Sequence, residues 1–442
     1  MATAKAGGTP HHHKMVIVGG GTGGLQLATR LGRKLGKKGQ VEITLIEASP
    51  THIWKPLLHE VAAGTLDSYE DEIEYLAQAA WSHFRYRLGR MEALDRQQRE
   101  ISVAPTYNEK GEEIIPRRHF HYDTLVMAVG SVSNDFGIPG VRSHCFFLDT
   151  TQQAADFQRQ LIESYVRAHA RGKPLARGEL NVAIVGGGAT GVELAAQLHT
   201  VSRLFTAYGL EVKPADIKLS IIEAAPRLLS GLPSRIAEPT ERQLRQLGIE
   251  ILANERVIEV TEKGIHTHSG RFIPARIKVW AAGVKAPDFL KALAGLETNP
   301  RHQLVVRPTL QTSRDDHIFA LGDCAACPWI GHEGTVPPRA QAAQQQARFL
   351  YQNIRNQLAG KPLRDYHYRD YGSLVSLGRY STVGNLMGTI TGSFLIEGWI
   401  ARLVYLSLYK RHQIVLFGPF RTAMLTLSHL FHRSVHPQVK LH

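Results

Sequence analysis

Two glycine clusters carry the residues with the clearest chemical use. Residues 19–24 read GGGTGG and residues 186–191 read GGGATG. The first glycine permits a tight turn, the third lets the backbone approach a pyrophosphate, and the last allows a helix to pack closely on a strand. A helix that starts at such a turn offers free N–H groups and the positive end of its dipole to a phosphate. The glycines in these roles are Gly19, Gly21 and Gly24 in the first cluster and Gly186, Gly188 and Gly191 in the second.

Both clusters follow a short apolar run and precede a helical pattern. The runs at residues 15–18 and 182–185 predict strands, and apolar residues recur at helical spacing after each cluster. A strand, a glycine turn and a helix form the context that the dinucleotide-binding fingerprint requires. One such motif is weak evidence, but two motifs about one domain length apart are strong evidence. The sequence therefore predicts an α/β protein with two Rossmann-like dinucleotide-binding domains.

An acidic residue ends the second strand that we predict in each domain. Glu47 follows the apolar run at 41–46, and Glu223 follows the run at 217–222. A carboxylate at this place accepts hydrogen bonds from the hydroxyls of a ribose. The charge of Glu223 also repels a 2′-phosphate, which favours NADH over NADPH, although the nearby Arg227 weakens that preference. The alternative for Glu47 is a solvated glutamate after a glycine-rich turn.

Two further acidic residues have two interpretations each. Glu193 lies two residues after the last glycine of the second cluster, where it either favours a helix N-terminus or faces a nicotinamide and a flavin ring. Asp323 follows a glycine at the end of the apolar run 317–321, where it either caps a helix or bonds the ribityl or phosphate part of a flavin. The two dinucleotide folds favour the flavin role for Asp323.

Two glycines end similar apolar segments of the chain. One buried run ends at Gly130 (residues 122–130) and another ends at Gly283 (residues 277–283), so the second domain repeats the layout of the first. We count both glycines among the cofactor-binding residues.

Length and cysteine content narrow the class of protein. A chain of 442 residues predicts two or three domains, and its three cysteines argue against a disulfide-built secreted protein. Cys324 and Cys327 have zinc-type spacing, but no second pair completes a site, so we expect no bound metal. Residues 1–14 have neither a signal-peptide core nor a transit-peptide pattern, and we expect a loose tail there.

The charge of the chain indicates an anionic partner. The formal net charge is +13, which suits nucleic acid, anionic cofactors or an anionic membrane surface. The cations are dispersed and no nucleic-acid-binding module is recognised, so we expect no nucleic acid. No apolar run is long enough to predict a helix that spans a membrane.

Two amphipathic helical patterns end the chain. The first begins at Gly398, and a break at Gly418-Pro419 starts the second. The second pattern has one apolar face with cationic edges, which is typical of a helix that lies in a membrane interface. The alternatives are that these helices pack on the first domain or form a homodimer contact. The apolar stripe consists of Phe420, Met424, Leu427 and Phe431.

Several motifs together resemble one family of flavoenzymes. Beside the first glycine cluster, they are WKPLLHEVAAG (54–64), GGGATGVE (186–193), WAAGV (280–284), LGDCAAC (321–327) and PPRAQAAQQQA (337–347). Over nearly its whole length the chain resembles bacterial type II NADH dehydrogenase, the single-subunit NADH:quinone oxidoreductase that pumps no protons. WKPLLHEVAAG and AQAAQQQA are more specific than the glycine motifs, which a wider superfamily of flavoenzymes shares.

The resemblance implies cofactors and the roles of several residues. FAD is expected on the first glycine cluster and on Asp323, and NADH is expected on the second cluster. Gln341 and Gln344 are expected to line a quinone pocket, and Lys55 to lie on the FAD side. The resemblance also favours a place for Glu193 near the flavin and the nicotinamide. Some relatives carry His or Met where Gln344 stands, which leaves the proton path to the quinone open.

The reaction that follows is hydride transfer from NADH to FAD and then two-electron reduction of a membrane quinone. The alternatives are a sulfide:quinone reductase or another two-nucleotide flavoprotein reductase, and an FAD- and NADH-binding redox sensor without significant turnover. The cysteine spacing fits a sulfide:quinone reductase poorly. We expect a peripheral protein on the cytoplasmic face of the bacterial inner membrane, held to anionic lipid by its C-terminal helices.

The sequence also predicts how the chain is divided into domains. The FAD-binding domain comprises residues 14–155 and 291–370, and its second part contains the quinone-site helix. The NADH-binding domain comprises residues 156–290, and residues 371–442 form the membrane-association region.

Overall fold

The computed structural model describes residues 12–66, 71–170, 180–207, 217–377, 382–388 and 392–435. The chain forms two compact units, each built from three separate stretches. The first unit comprises Met1–His52, Ile73–Ser131 and Lys285–Tyr368. The second unit comprises Ile53–Glu72, Val132–Val284 and Arg369–His442.

The first unit is built around a six-stranded sheet. Its strands are apolar along almost their whole length, which is expected where both faces of a parallel sheet are covered. Five strands are parallel, and the edge strand pairs antiparallel with its neighbour. The strand order is Gln311–Thr312, Asp315–Ala320, Thr124–Met127, His13–Val18, Val41–Glu47, Arg85–Leu88.

Three α-helices and several small sheets complete the described part of the first unit. The helix Thr22–Lys34, which we call the first nucleotide helix, packs against the long helix Ala340–Leu358. The third helix is Tyr75–Ser82, and the 3-10 turns are Gly36–Lys38, Asp288–Ala292 and Gly322–Cys324. The small sheets pair Glu100–Val103 with Met91–Asp95 and Arg118–His121, Thr51–His52 with Ile73–Glu74, Thr106–Tyr107 with Glu113–Ile115, and Leu304–Val305 with Ala325–Ala326.

The second unit repeats the parallel arrangement with four strands. Their order is Glu250–Leu252, Leu219–Ile222, Val182–Val185, Ile277–Trp280. The helix Ala189–Ala207, which we call the second nucleotide helix, follows the strand Val182–Val185 in the chain. Among the described residues of this unit up to residue 284, the remaining helices are Leu58–Ala63, Val141–His144, Thr151–Ala170 and Ser234–Gln246, with a 3-10 turn at Lys55–Leu57. An antiparallel sheet is formed by Val257–Val260, Gly264–Thr267 and Phe272–Pro274.

The C-terminal part of the second unit contains an antiparallel sheet that the sequence did not predict. Its strands are Gly372–Ser376, Thr382–Gly388 and Gly392–Glu397. The two expected helices follow as Gly398–Phe417 and Pro419–Val435, and they meet at the predicted break. None of the helices in the described part of the chain is both long enough and apolar enough to cross a bilayer.

The expected N-terminal tail ends earlier than we predicted. The first strand begins at His13, and the His13 Nε2 atom lies 2.9 Å from the Thr124 hydroxyl of the neighbouring strand. The prediction of a loose tail over residues 1–14 is therefore wrong for its last two residues. Both belong to the first strand and pair with the start of the strand Val41–Glu47. Residues 1–11 lie outside the described part of the chain.

In both units the nucleotide helix approaches the preceding turn at a glycine. A Cβ atom on Gly24 would lie 1.9 Å from the Gly19 carbonyl oxygen, and one on Gly191 would lie 2.0 Å from the Gly186 carbonyl oxygen. Real atoms cannot come so close, and the obstacle is backbone that does not rotate away. The sixth position of each cluster is therefore glycine because of packing.

We expect Gly24→Ala to destabilise the ligand-free protein by about 1–3 kcal/mol or more, because the added methyl group must push backbone apart. Gly21→Ala is the matched control, since no described atom lies within 4 Å of its Cβ position. Its effect should stay within about 0.5 kcal/mol. Thermal unfolding of the two variants without added ligand measures both effects, and an equal loss of stability in the two variants contradicts the packing role.

Candidate functional site

The third glycine of the first cluster opens onto free space at a helix N-terminus. Gly21 precedes the first nucleotide helix, and no described atom lies within 4 Å of its Cβ position. That helix has no side-chain cap and no acidic residue in its first turn. Its first N–H groups therefore remain available to an anion, and the missing side chain leaves room for a phosphate beside them.

Glu47 is held directly beside this turn. Its two carboxylate oxygens accept hydrogen bonds from the backbone N–H groups of Gly20 and Ala48, each at 2.6 Å. The buried Tyr75 hydroxyl donates to the Gly20 carbonyl at 2.7 Å and supports the turn from the other side. A carboxylate accepts roughly four hydrogen bonds, so Glu47 retains the capacity to accept from a ribose as well. The alternative of a merely solvated Glu47 does not describe this arrangement.

Asp323 lies in the 3-10 turn Gly322–Cys324, directly after the strand Asp315–Ala320. Its Oδ2 atom accepts a hydrogen bond from the Ser131 hydroxyl at 2.7 Å, and this turn has no side-chain cap. The carboxylate thus points to the end of the neighbouring parallel strand rather than capping a helix. Gly130, which precedes Ser131, has φ +69° and no described atom within 4 Å of its Cβ position.

Gln341 and Gln344 lie one turn apart near the start of the helix Ala340–Leu358, and both are half-buried. The Gln344 carbonyl oxygen lies 3.4 Å from Gln26 Nε2 on the first nucleotide helix. The sequence did not single out Gln346, although this side chain is fully buried and accepts a hydrogen bond from the Gly322 N–H at 2.7 Å. Only the phase of the helix distinguishes Gln346 from its neighbours in the QQQ run.

These features of the first unit fit a dinucleotide with a second group beyond its pyrophosphate, as in FAD. An open glycine and a free helix N-terminus suit the pyrophosphate, and Glu47 suits the adenosine ribose. Asp323, at the carboxyl end of a strand in the same sheet, is an acceptor for further hydroxyl groups. Open α/β sheets bind ligands at this edge.

The second unit has the same arrangement around its own turn. No described atom lies within 4 Å of the Cβ position of Gly188, and the second nucleotide helix has no acidic residue in its first turn. Glu223 accepts hydrogen bonds from the backbone N–H groups of Gly187 at 2.6 Å and Ala225 at 2.7 Å. These residues therefore fit a second dinucleotide with an unphosphorylated ribose.

Arg227, the cation that we expected to weaken the preference for NADH, donates hydrogen bonds to backbone carbonyls. Its guanidinium donates to the Leu232 carbonyl at 2.7 Å and to the Ser230 carbonyl at 3.3 Å. The cation thus organises the loop after Glu223, which leaves Glu223 as the charged group that contacts the glycine turn.

Glu193 is the fifth residue of the second nucleotide helix, and it is buried. Its Oε1 atom accepts a hydrogen bond from the Ser376 N–H at 3.0 Å, and its Oε2 atom lies 3.7 Å from His59 Nδ1. Burial raises the pKa of Glu193 to about 8, the Ser376 hydrogen bond opposes this shift, and the charge of Glu60 adds to it. A carboxyl with this pKa holds a proton at neutral pH and can release it nearby. The sequence did not single out His59 or Ser376.

Lys55 and Gly283 both lie in the second unit. The Lys55 ammonium forms an ion pair with Asp149 at 3.2 Å, and Asp149 also accepts hydrogen bonds from Ser133. Gly283 has φ +68°, and a Cβ atom there would lie 2.4 Å from the Phe136 ring. The ion pair holds the Lys55 segment, and the glycine allows the aromatic ring to pack on the backbone.

The cysteines do not form a redox or metal centre in the described part of the chain. Burial raises the pKa of Cys145, Cys324 and Cys327 to about 12 in each case, and none forms a disulfide. The thiolate is the reactive form, so these thiols are inert at neutral pH. Among the described residues, no group of three or more His, Cys, Asp or Glu side chains is placed to hold a metal ion.

Comparison with known proteins assigns the chain to a family. The model of the pyridine nucleotide-disulphide oxidoreductase family matches residues 13–347. The chain is 39% identical to a type II NADH:quinone oxidoreductase of Haemophilus influenzae, over 97% of this chain and 99% of that relative. It is 29% identical to a protein of the same name from Staphylococcus aureus strain NCTC 8325, over 85% of this chain and 90% of that relative.

Solved structures with the same fold agree with this assignment. The structure of NDH2 from Plasmodium falciparum in complex with NADH has a TM-score of 0.81 at 19% identity, and the match covers 97% of this chain and 100% of that one. The sulfide:quinone oxidoreductase of Aquifex aeolicus has a TM-score of 0.72 at 18% identity, and the match covers 92% of each chain. At these identities the likeness concerns the fold alone. The family model and the 39% identical relative show more than the fold. This chain therefore belongs to the pyridine nucleotide-disulphide oxidoreductase family and, within it, to the type II NADH:quinone oxidoreductases.

Proposed function

We propose that this chain is an FAD-dependent NADH dehydrogenase that passes two electrons from NADH to a quinone. The observation that carries the proposal is that each unit has a glycine turn with open space at a helix N-terminus and a glutamate bonded to that turn. These features occur on a chain 39% identical to a type II NADH:quinone oxidoreductase. Bound FAD supplies the hydride acceptance and the electron transfer to quinone. The protein supplies binding, orientation and protons. The three buried or half-buried thiols do not support sulfide chemistry.

In the first unit the chain's own residues hold FAD. Gly21 and the N–H groups of the first nucleotide helix bind the pyrophosphate, and Glu47 accepts hydrogen bonds from the adenosine ribose. Asp323 accepts from the ribityl or phosphate part, and Gly130 leaves space beside it. The FAD-binding domain that we propose comprises residues 14–155 and 291–370, and it therefore includes residues 53–72 and 132–155 of the second unit.

In the second unit the corresponding residues hold NADH. Gly188 and the second nucleotide helix bind the pyrophosphate, and Glu223 accepts from the ribose hydroxyls while it repels a 2′-phosphate. We assign residues 156–290 to this NADH-binding domain. Lys55 and Gly283 support cofactor binding through the segments that they position.

Gln341 and Gln344 are proposed to line the quinone pocket, and Glu193 is proposed to hold a proton at Oε2. Reduction of the quinone by NADH consumes one proton from solvent for each quinol formed. An acid that is protonated at neutral pH is suited to this demand, and Glu193 has the raised pKa that it requires.

The C-terminal region, residues 371–442, is proposed to bind an anionic membrane surface. Phe420, Met424 and Leu427 are 78%, 55% and 51% exposed, whereas Thr422, which does not belong to this stripe, is buried. The apolar stripe of the second helix therefore faces away from the protein, although the Phe431 side chain lies outside the described part. The net charge of +13 favours anionic lipid. We place the protein on the cytoplasmic face of the bacterial inner membrane, and a homodimer contact through the same stripe is the alternative.

Glu223→Gln should lower the preference for NADH over NADPH, measured as the ratio of the two kcat/KM values, by about tenfold. This corresponds to about 1.4 kcal/mol of lost charge discrimination. The amide keeps an acceptor for the Gly187 N–H, so the loop should survive. Glu47→Gln is the matched control, because it makes the same change at the other turn and should weaken FAD retention instead. An unchanged ratio in Glu223→Gln counts against its ribose role.

Replacing Phe420, Met424 and Leu427 together by Ser should weaken binding to vesicles that contain anionic lipid by about 100-fold or more. Each buried apolar side chain contributes roughly 1.5–3 kcal/mol, so the estimate is conservative. Cosedimentation measures the effect, and Leu76→Ser removes an exposed apolar side chain of the first unit as a control. Unchanged vesicle binding together with loss of a dimer in solution would instead identify the stripe as the homodimer contact.

A further inference from the structure

Two buried amide side chains hold the turn Gly322–Cys324, which carries Asp323. Gln346 Oε1 accepts a hydrogen bond from the Gly322 N–H at 2.7 Å. Gln303 Nε2 donates to the Asp323 carbonyl oxygen at 2.8 Å. Gln346 and Gln303 are 1% and 4% exposed, and both belong to the first unit. We propose that Gln346 and Gln303 are positioning residues that hold Asp323 in place for FAD, an inference that rests on the role proposed for Asp323.

Both ends of the Gln346 amide have a partner. The Gly322 N–H is a donor, so it requires the amide oxygen on the side of the turn. The amide nitrogen then faces the Cys327 thiol. Burial raises the pKa of that thiol to about 12, and its hydrogen bond with the Gln346 side chain opposes the shift. An apolar side chain of the same size would leave the Gly322 N–H without this acceptor.

Gln303 reaches the turn from a segment that is itself fixed. The Asn299 side-chain amide donates to Gln303 Oε1 at 2.9 Å, and the Gln303 N–H donates to Asn299 Oδ1 at 3.0 Å. The strand Leu304–Val305, which follows Gln303, pairs with Ala325–Ala326, which follows the turn. The side chain that holds the Asp323 carbonyl is therefore anchored on both sides of its own position.

Gly322 cannot select the conformation of this turn by itself. Its φ of +73° lies in the left-handed region that favours glycine, but glycine also adopts many other backbone conformations at little cost. Hydrogen bonds to the neighbouring peptide groups must therefore select this one. The Ser131 hydroxyl donates to Asp323 Oδ2 at 2.7 Å and orients the carboxylate, whereas Gln346 and Gln303 fix the backbone that carries it.

Positioning of this kind acts on the affinity for FAD. A site binds more tightly when the protein already holds the bound conformation, because binding then orders fewer groups. Without the Gln346 amide the turn can relax in the ligand-free protein, and FAD must restore it. The helix Ala340–Leu358 carries Gln346 as well as Gln341 and Gln344. The hydrogen bond to Gly322 therefore also joins the proposed quinone-site helix to the proposed FAD turn.

The test measures the dissociation constant of FAD by diluting the FAD-loaded protein and determining free FAD after ultrafiltration. Gln346→Met keeps the size of the side chain and removes the amide, and it should raise the dissociation constant about tenfold. This change corresponds to about 1.4 kcal/mol, the scale of one lost hydrogen bond to a buried group. Gln346→Glu should recover most of the affinity, because burial favours the neutral carboxyl, which offers the same acceptor and donor.

Asn353→Leu is the matched control for a merely structural effect. Asn353 lies on the same helix, is fully buried, and bonds the backbone of Thr309 and Arg364 at 3.0–3.3 Å. Its loss should lower the temperature of thermal unfolding, as the loss of Gln346 also should. The dissociation constant of FAD should nevertheless stay at the wild-type value in Asn353→Leu, because its hydrogen bonds do not involve the turn.

Equal FAD affinity in Gln346→Met and Asn353→Leu overturns the proposal, and so does a Gln346→Glu variant that binds FAD no better than Gln346→Met. If Gln346→Met does not fold, Gln303→Met removes the other hold on the turn and should weaken FAD binding to a similar extent. Unchanged affinity in that variant also contradicts the proposal. The measurement uses neither NADH nor quinone, so a wild type that binds FAD but reduces no quinone refutes the proposed function alone.

Discussion

The structure depends on the close approach of a helix to the turn that precedes it, at a place where only glycine fits. The Cβ positions of Gly24 and Gly191 lie 1.9 and 2.0 Å from the carbonyl oxygens of Gly19 and Gly186. This approach directs the N-terminus of each nucleotide helix to the carboxyl edge of its sheet. Because the constraint occurs once in each unit, the chain has two helix N-termini whose first N–H groups are placed to bind a phosphate.

Each of these turns is held by a glutamate from the neighbouring strand. Glu47 and Glu223 accept from the N–H groups of Gly20 and Gly187, in both cases at 2.6 Å. The carboxylate that would contact a ribose is therefore also a structural part of the turn. Its loss should affect the shape of the site as well as the contact with the ligand, which is why amide substitutions are more informative than truncations.

Much of the fold could be predicted from the sequence, and the predicted α/β class is confirmed. The strand Val182–Val185 has the predicted bounds, because a run of four apolar residues before a glycine cluster is typical of a buried strand. The C-terminal sheet was missed, since its strands contain several glycines and lack regular alternation. The break between the C-terminal helices was predicted correctly, because Gly418 and Pro419 act through local backbone preferences.

The candidate sites could be predicted only where a motif carries them. The family resemblance is confirmed, and so are FAD and NADH as cofactors, whereas the individual site residues and the domain bounds stay predictions. Gln346, Ser131 and Ser376 act through partners far away in sequence, so no local pattern marks them. His59 stands inside a recognised motif, but its position between two carboxyls depends on how helices pack.

The central claim is that one chain binds two different dinucleotides and passes electrons from one to the other and then to a quinone. Anaerobic titration of the purified protein with NADH, followed by absorption spectroscopy and then by addition of a quinone, tests it most directly. The account predicts a yellow protein whose flavin band is bleached by an equimolar amount of NADH and returns with the quinone. A colourless protein, or a yellow one whose band NADH leaves unchanged, would contradict it.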